Sequence, residues 1–254
     1  MFSFVYSCST FRGAPFLFSP GLLLWVDTDA HRYDFKAGRL SVKSDTSMIF
    51  LSNTKKFWSN PEYCLAVLKS GTVFALSLLL NYYAVRLATR QAGEPVDDLF
   101  FVLLPMADTS FLDYYLALYV QYVATLWAFI ESRRLPFFLW SLSMLIVVRA
   151  WFINLTYLGI PEGGIPTLSF FTQGGDLFFS GPVALPYLVA LVYWEYRPVR
   201  YIFLGLSVLM GFEVLIGRQH YSIDVFAAPF ITYGVYCLVR KFFLINKNRR
   251  KSKE

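Results

Sequence analysis

The sequence is poor in charged residues, cysteine and histidine. Charged residues make up 16% of its 254 residues, whereas globular domains usually carry about a quarter. So little charge cannot cover the surface of a soluble protein. Together with the high apolar content, it excludes a disordered chain and a coiled coil. Three scattered cysteines (Cys8, Cys64, Cys237) form no disulfide framework, and His31 and His220 are too few for a zinc-type cluster. The composition therefore predicts a membrane protein.

Long apolar stretches take the place of the missing charge. Hydrophobic residues are 56% of the chain, and a helix needs about 20 apolar residues to cross a bilayer. Six stretches qualify, at residues 65–87, 111–130, 136–155, 177–194, 199–216 and 223–243. Prolines inside the fourth and sixth stretches are tolerated in membrane helices. We predict an all-α integral membrane bundle of six transmembrane helices.

The basic residues indicate how this bundle is oriented. If the chain crosses the membrane six times, most of the basic residues fall on one side of it. Because basic loops tend to face the cytoplasm, this side and both termini are predicted to be cytoplasmic. These basic residues are Lys55, Lys56, Lys69, Arg133, Arg134, Arg197, Arg200, Arg240, Lys241, Lys247, Arg249, Arg250, Lys251 and Lys253. Loops 88–110, 156–176 and 217–222 then lie on the opposite side. Short basic clusters between apolar runs indicate topology rather than a nucleic-acid partner.

The first 47 residues do not fit this scheme. Residues 2–24 are broken by Arg12, Gly13, Pro15 and Pro20 and lack the basic start of a signal peptide. One hypothesis is that translation begins at Met48. We therefore divide the chain into a poorly defined segment, 1–47, and one six-helix domain with a basic cytoplasmic tail, 48–254.

Three polar clusters fall near the ends of the apolar stretches on the non-cytoplasmic side. His220 and Asp224 are four residues apart, so on a helix they share a face. A carboxylate there can accept a proton from one imidazole nitrogen and leave the other as nucleophile or base, with Arg218 holding an anion beside them. The alternative is that His220 is an interfacial residue and Asp224 a charge at a helix end.

The second cluster runs from Gly174 to Pro182. Glycines before a helix let backbone amides approach an anion, and the hydroxyl of Ser180 adds a donor. The alternative is a simple turn into the fourth helix, capped by Asp176.

The third cluster centres on Arg149, in the outer half of the third stretch, followed by Asn154, Thr156, Gly159 and Pro161. An arginine in such an apolar segment needs either a bound anion or an acidic partner. Asp176 and Asp224 are the candidates for a structural ion pair.

Gly175-Asp176, Ser180-Gly181 and the run from His220 to Val225 resemble the two signature segments of the sphingomyelin synthase family, within the type 2 phosphatidic acid phosphatase superfamily. Arg149, Thr156 and Pro161 resemble the segment that precedes them. The resemblance covers about residues 140–240.

The resemblance implies a metal-independent phosphotransferase that needs no cofactor. His220 would be the nucleophile that takes the phosphoryl group, and Asp224 would orient it. Phosphate would be bound by Arg149, Asp176, Ser180, Gly181 and Arg218. Its substrates would be a glycerophospholipid and a lipid alcohol or water.

The chain departs from the family at one position, because Pro182 stands where the family has a histidine. By resemblance, that histidine protonates the departing lipid alkoxide. A positioned general acid contributes about 10²–10⁴ in rate, so we expect phosphate binding to persist and transfer to be weak or absent. Proline also lacks an N–H, although it is well tolerated in a first helical turn.

Three functions remain open on these residues. The first is a lipid phosphotransferase or phosphatase impaired by Pro182, and the second is an inactive protein that binds lipid head groups. The third is a transporter or structural membrane protein, which would need a polar path through several helices. We expect a bacterial inner-membrane location, while the oligomeric state is not indicated.

Overall fold

Every regular element in the described part of the chain is a helix. The computed structural model describes residues 57–164 and 177–251, with side chains up to residue 245. Its helices are α1 Pro61–Arg90, α2 Leu99–Leu103, α3 Ser110–Ile130, α4 Leu135–Phe152, α5 Gly181–Val192, α6 Arg197–Ile216 and α7 Ser222–Lys251, with a 3₁₀ turn at Ser132–Arg134. The all-α prediction is confirmed for these residues. The segment 1–47, with its proposed start at Met48, lies outside them.

Four of the six predicted membrane spans are helices long and apolar enough to cross a bilayer. They are Pro61–Arg90, Ser132–Phe152, Arg197–Ile216 and Ser222–Ile245. Four such helices are compatible with an integral membrane protein.

The other two predicted spans are helical but weaker, so the count of six is not confirmed. Helix α3 has 21 residues, but Asp113, Gln121 and four tyrosines lower its hydropathy. Helix α5 has 12 residues, which at 1.5 Å per residue span about 18 Å of a core about 30 Å thick. The predicted stretch began at Leu177, whereas residues 177–180 are not helical.

Proline and asparagine set the starts of several helices. Proline occupies the first turn of α1, α4, α5 and α6, where its missing N–H costs no helical hydrogen bond. Before α1, the Oδ1 atom of Asn60 accepts a 2.9 Å hydrogen bond from the N–H of Glu62, which caps the helix.

Helix α5 lies at the centre of the bundle. It packs mainly against α6 and α7, and it also contacts α3 and α4. Leu188, Val189 and Ala190 are fully buried along it, and Tyr193 is buried just beyond its end. Helix α1 packs along α4 on the other side of the bundle.

Loops 91–98, 153–164 and 217–221 meet at one end of the bundle. The N–H of Gly93 donates to the carbonyl of Tyr157 at 3.2 Å, and the hydroxyl of Tyr221 donates to the carbonyl of Gly159 at 2.9 Å. At the other end, Arg134 forms a 2.6 Å salt bridge with Glu195. These three loops belong to the segments predicted to share one face.

Candidate functional site

His220 lies in the loop between α6 and α7 and is 6% exposed. Its Nδ1 atom is 2.9 Å from the carbonyl oxygen of Leu177 and 3.5 Å from Oδ2 of Asp224. A carbonyl oxygen only accepts hydrogen bonds, so Nδ1 carries the proton. In the neutral ring, Nε2 then carries the lone pair.

Asp224 lies beside His220, as the spacing of four residues predicts. Of the two acceptors near Nδ1 of His220, however, its carboxylate is the more distant one. The carbonyl of Leu177 is closer to Nδ1 than the carboxylate is, so the backbone holds the ring in this tautomer. Asp224 is fully buried, and its Oδ2 also accepts a 3.1 Å hydrogen bond from the N–H of Tyr221. The carboxylate thus holds the first turn of α7 beside the imidazole.

The entry into α5 is joined directly to this turn. The N–H of Ser180 donates to the carbonyl of Asp224 at 3.1 Å. From α4, the Nε of Arg149 donates to the carbonyl of Phe179 at 3.2 Å, and its positive charge acts on Asp224. A side chain at Gly181 would begin 3.7 Å from that Nε. The structure therefore brings Arg149, Ser180 and Gly181 together with Asp224 and His220.

Pro182 lies in the first turn of α5, where the resemblance places a histidine. Its ring removes one of the N–H groups that the start of a helix offers to an anion. Ser180, two residues before Pro182, is fully buried and caps no amide with its side chain. Its Oγ has no hydrogen-bond partner among the described residues.

The guanidinium of Arg218, which is predicted to bind an anion, donates to two loop carbonyls in this structure. Its Nη1 donates to the carbonyl of Glu162 at 3.2 Å and its Nη2 to the carbonyl of Phe101 at 3.1 Å. The residue has a φ of 49°, which is uncommon outside glycine. It lines a cavity of about 520 Å³ with Asp97, Asp98 and Glu162. The expected anion-binding arginine is thus occupied by two loop carbonyls.

Gly174, Gly175 and Asp176 lie outside the described residues.

Two side chains that the sequence did not single out hold the loops over the site. The hydroxyl of Tyr221 donates to Gly159 and accepts from the N–H of Val96 at 3.1 Å. Burial raises the pKa of this phenol, so it stays neutral at physiological pH and can do both. Asp98 accepts from Phe100 at 2.8 Å and from Ser222 at 2.7 Å, which caps α2 and α7 together.

Two further carboxyl groups are buried, on α3 and α6. Asp113 is 7% exposed and Glu213 is 3% exposed. Glu213 lies in the apolar helix α6, and a polar group at membrane depth invites a functional hypothesis. The same rule singled out Arg149 from the sequence, whereas the glutamate in stretch 199–216 was overlooked. No group of three or more His, Cys, Asp or Glu side chains suited to a metal ion occurs in the described ranges.

Comparison with known protein families gives one match over this part of the chain. The family described as PAP2 superfamily C-terminal matches residues 173–242, which include α5, α6 and much of α7. The match supports the type 2 phosphatidic acid phosphatase superfamily over that segment. It also suggests a lipid function of the phosphatase or phosphotransferase type. No curated protein matches the chain.

Proposed function

We propose that the chain is a membrane lipid phosphotransferase or phosphatase of the sphingomyelin synthase-like group, slowed by Pro182. It would transfer a phospho-head group from a glycerophospholipid to a lipid alcohol or water. The observation that carries the proposal is the buried His220, whose Nδ1 is held by Leu177 and Asp224 while Nε2 keeps its lone pair. The family match over residues 173–242 supports it.

In the proposed reaction, Nε2 of His220 attacks the phosphorus of the donor lipid. A nitrogen–phosphorus bond forms, and the bond from phosphorus to the diacylglycerol oxygen breaks. The departing alkoxide takes up a proton from water and leaves as an alcohol. The hydroxyl of the acceptor then attacks the phosphohistidine, gives its proton to water and releases His220. Arg149, held at the carbonyl of Phe179 beside Gly181, is placed to offset the negative charge of the phosphoryl group.

We propose six crossings, with both termini in the cytoplasm of a bacterial inner membrane and His220 on the opposite face. The distribution of charge supports this orientation. Arg133, Arg134 and Arg197 lie at the end of the bundle away from His220, as the bias of basic loops toward the cytoplasm requires.

The second candidate is a head-group-binding protein without turnover. Pro182 favours it, since neither an imidazole nor an N–H is available at that position. On this alternative, Arg149 and the start of α5 still bind the phosphate, but no phosphohistidine forms.

The decisive experiment supplies purified protein with phosphatidylcholine labelled in the phosphate, and with ceramide or diacylglycerol as acceptor. His220→Ala should abolish transfer and the labelled intermediate. Pro182→His should raise turnover by about 10²–10⁴-fold, the usual contribution of a general acid. Pro182→Ala is the matched control, because it restores the N–H without an acid.

The outcomes separate the two candidates. Slow transfer by the unaltered chain, lost in His220→Ala, supports the enzyme. Head-group binding without any labelled protein supports the second candidate. A folded Pro182→His variant with no more activity than Pro182→Ala would overturn the assigned roles.

A further inference from the structure

The α2 segment, residues 96–107, carries an apolar face on the outside of the protein. Leu99, Val102 and Leu103 are 67%, 84% and 65% exposed, and their spacing of three and four residues places them on one side of a helix. Met106 follows at the same spacing and is also exposed. Single apolar residues are normal on a soluble surface, whereas a contiguous patch of this kind marks an interaction surface.

The other side of α2 is packed into the bundle. Phe100 and Leu104 are partly buried against the apolar core, and the ring of Phe100 lies 5.4 Å from that of Phe226 on α7. Helix α2 also contacts α6. Because its inner side is held in this way, the apolar outer face stays at the surface.

Hydrogen bonds from the neighbouring turn bind three backbone groups of the α2 segment. The N–H of Val96 donates to the hydroxyl of Tyr221 at 3.1 Å, and the carbonyl of Phe101 accepts from Nη2 of Arg218 at 3.1 Å. The N–H of Ala107 donates to a carbonyl at the end of α6 at 3.3 Å. Irregular backbone is tolerated in an apolar medium only where the protein satisfies its polar groups. These contacts meet that condition and join the segment to the turn that carries the proposed nucleophile.

The exposed face of α2 is continuous with that of a candidate membrane span. On α7, Ile223, Phe226 and Phe230 are exposed and lie on one side of the span Ser222–Ile245. Phe226 is also the residue that contacts Phe100. The two apolar surfaces therefore meet, and lipid that covers this side of α7 also reaches α2.

The cavity beside α2 has an apolar and a charged side, as a phospholipid has. Leu99 and Val102 line it together with the charged side chains of Asp97 and Arg218. Residues 91–109 contain no lysine or arginine, so contact with a membrane would not depend on attraction to anionic lipids. Apolar burial is the force that this surface offers.

We propose that the α2 segment docks into the lipid leaflet on the His220 side of the membrane, with Leu99, Val102 and Leu103 among the lipids. An apolar helix face enters the boundary between head groups and acyl chains by about 5–10 Å. Docking requires only that the bundle spans a membrane. Its consequence for substrate rests on the proposed function: the donor lipid reaches the turn of His220 directly from the leaflet, along the cavity beside α2.

The depth of α2 can be measured with a nitroxide on Val102→Cys, in bilayers of phosphatidylcholine, after replacement of the three native cysteines by serine. Power saturation compares collisions with oxygen, which concentrates among the lipid chains, and with a nickel chelate, which stays in water. Val208→Cys on the exposed side of α6 and Glu195→Cys in the exposed loop before it are the lipid and water references. The ratio of oxygen to nickel collisions at Val102 should exceed that at Glu195 several-fold and approach that at Val208.

Two results would overturn docking. A collision ratio equal to that at Glu195 would place the face in water. Few collisions with either reagent would show that another part of the protein covers it.

Val102→Asp tests the consequence for substrate. Transfer from long-chain phosphatidylcholine in bilayers should fall several-fold, whereas transfer from dibutanoyl phosphatidylcholine, which dissolves in water, should fall much less. Val102→Leu keeps the apolar surface and should retain more transfer from bilayers than Val102→Asp. Equal losses with both lipids would overturn entry from the leaflet. If His220→Ala transfers as well as the unaltered chain, the proposed function fails, while the measured depth of α2 still decides docking.

Discussion

Helices α1 and α6 are almost equally apolar, with mean hydropathies of 1.8 and 1.9 over an 18-residue window of each, but they have different surroundings. Only 11% of the 18-residue apolar window of α1 is buried inside the protein, against 44% of the corresponding window of α6. Helix α6 packs against α5, α3, α2 and α7, whereas α1 packs essentially along α4. Hydropathy therefore identifies what can lie in a bilayer, and packing decides which helix builds the site.

The two regions are also held together by different forces. Helix α1 contacts α4 through a stripe of small buried residues, Ser70, Ser77, Ala84 and Ala88, of the kind that lets membrane helices approach closely. The site region adds hydrogen bonds between loops, made by Tyr221, Asp98 and Arg218. A change in the loops should therefore affect both folding and phosphotransfer, and a change in the α1–α4 contact should affect folding alone.

The largest loss of stability should come from Gly159→Ala. The new Cβ would lie 2.3 Å from the carbonyl carbon of Glu94 and 2.5 Å from the carbonyl oxygen of Gly93. Both are backbone atoms, so the loops must separate. We expect a destabilisation of about 3 kcal/mol, at the upper end of the usual cost of overpacking, with loss of phosphotransfer.

Gly71→Ala in α1 is the control for that substitution, because apart from its chain neighbours and the backbone of its own helix no described atom lies within 4 Å of its Cβ position. Replacing glycine within a helix should stabilise the protein by about 0.5–1 kcal/mol. Thermal unfolding in detergent micelles measures both variants. A Gly159→Ala protein as stable as Gly71→Ala would disprove the close contact between the loops.

Tyr221→Phe should have the next largest effect. It removes the hydroxyl that joins Gly159 and Val96 but keeps the ring, which packs on Phe101 at a centroid distance of 5.6 Å. Among the described residues the buried carbonyl of Gly159 then has no donor, at a cost of about 1–3 kcal/mol. Because His220 precedes Tyr221, phosphotransfer should fall as well.

The matched control is Tyr119→Phe, since Tyr119 is 53% exposed on α3. Its effect should stay within about 0.5 kcal/mol, as for other surface substitutions. If the two phenylalanine variants unfold at the same temperature, the hydroxyl of Tyr221 does not hold the loops together.

Most helices were predictable from sequence because apolar runs near 20 residues determine them. The predicted stretches 136–155 and 199–216 correspond to α4, Leu135–Phe152, and α6, Arg197–Ile216. The run 177–194 misled the prediction, because hydropathy cannot distinguish apolar side chains in a helix from those of an irregular segment. Leu177 and Phe179 are buried but not helical, and their carbonyls bind His220 and Arg149.

The site was predictable only where residues lie a few positions apart along the chain. The four-residue spacing of His220 and Asp224 correctly predicts that they are neighbours. The hydrogen bond from Nδ1 to the carbonyl of Leu177 joins residues 43 apart, and the position of Asp113 depends on how α3 packs against α6. No local pattern encodes such contacts, although the lone carboxylate Glu213 in an apolar run was a signal in the sequence itself.

The smallest effect should come from Asn154→Ala, which tests the α1–α4 region alone. Nδ2 of Asn154 donates to the carbonyl of Ala84 on α1 at 3.2 Å and to that of Ala150 on α4 at 2.9 Å. Both acceptors lie within helices, so the loss should be limited to about 0.5–1.5 kcal/mol, with phosphotransfer unchanged. Asn154 also begins an Asn-Leu-Thr sequon, and Thr156→Ala removes that sequon without touching the contact. Thermal unfolding should therefore show a lower midpoint for Asn154→Ala only. A parallel fall in phosphotransfer would mean that α1 and the site are coupled, and the contrast between the two regions would not hold.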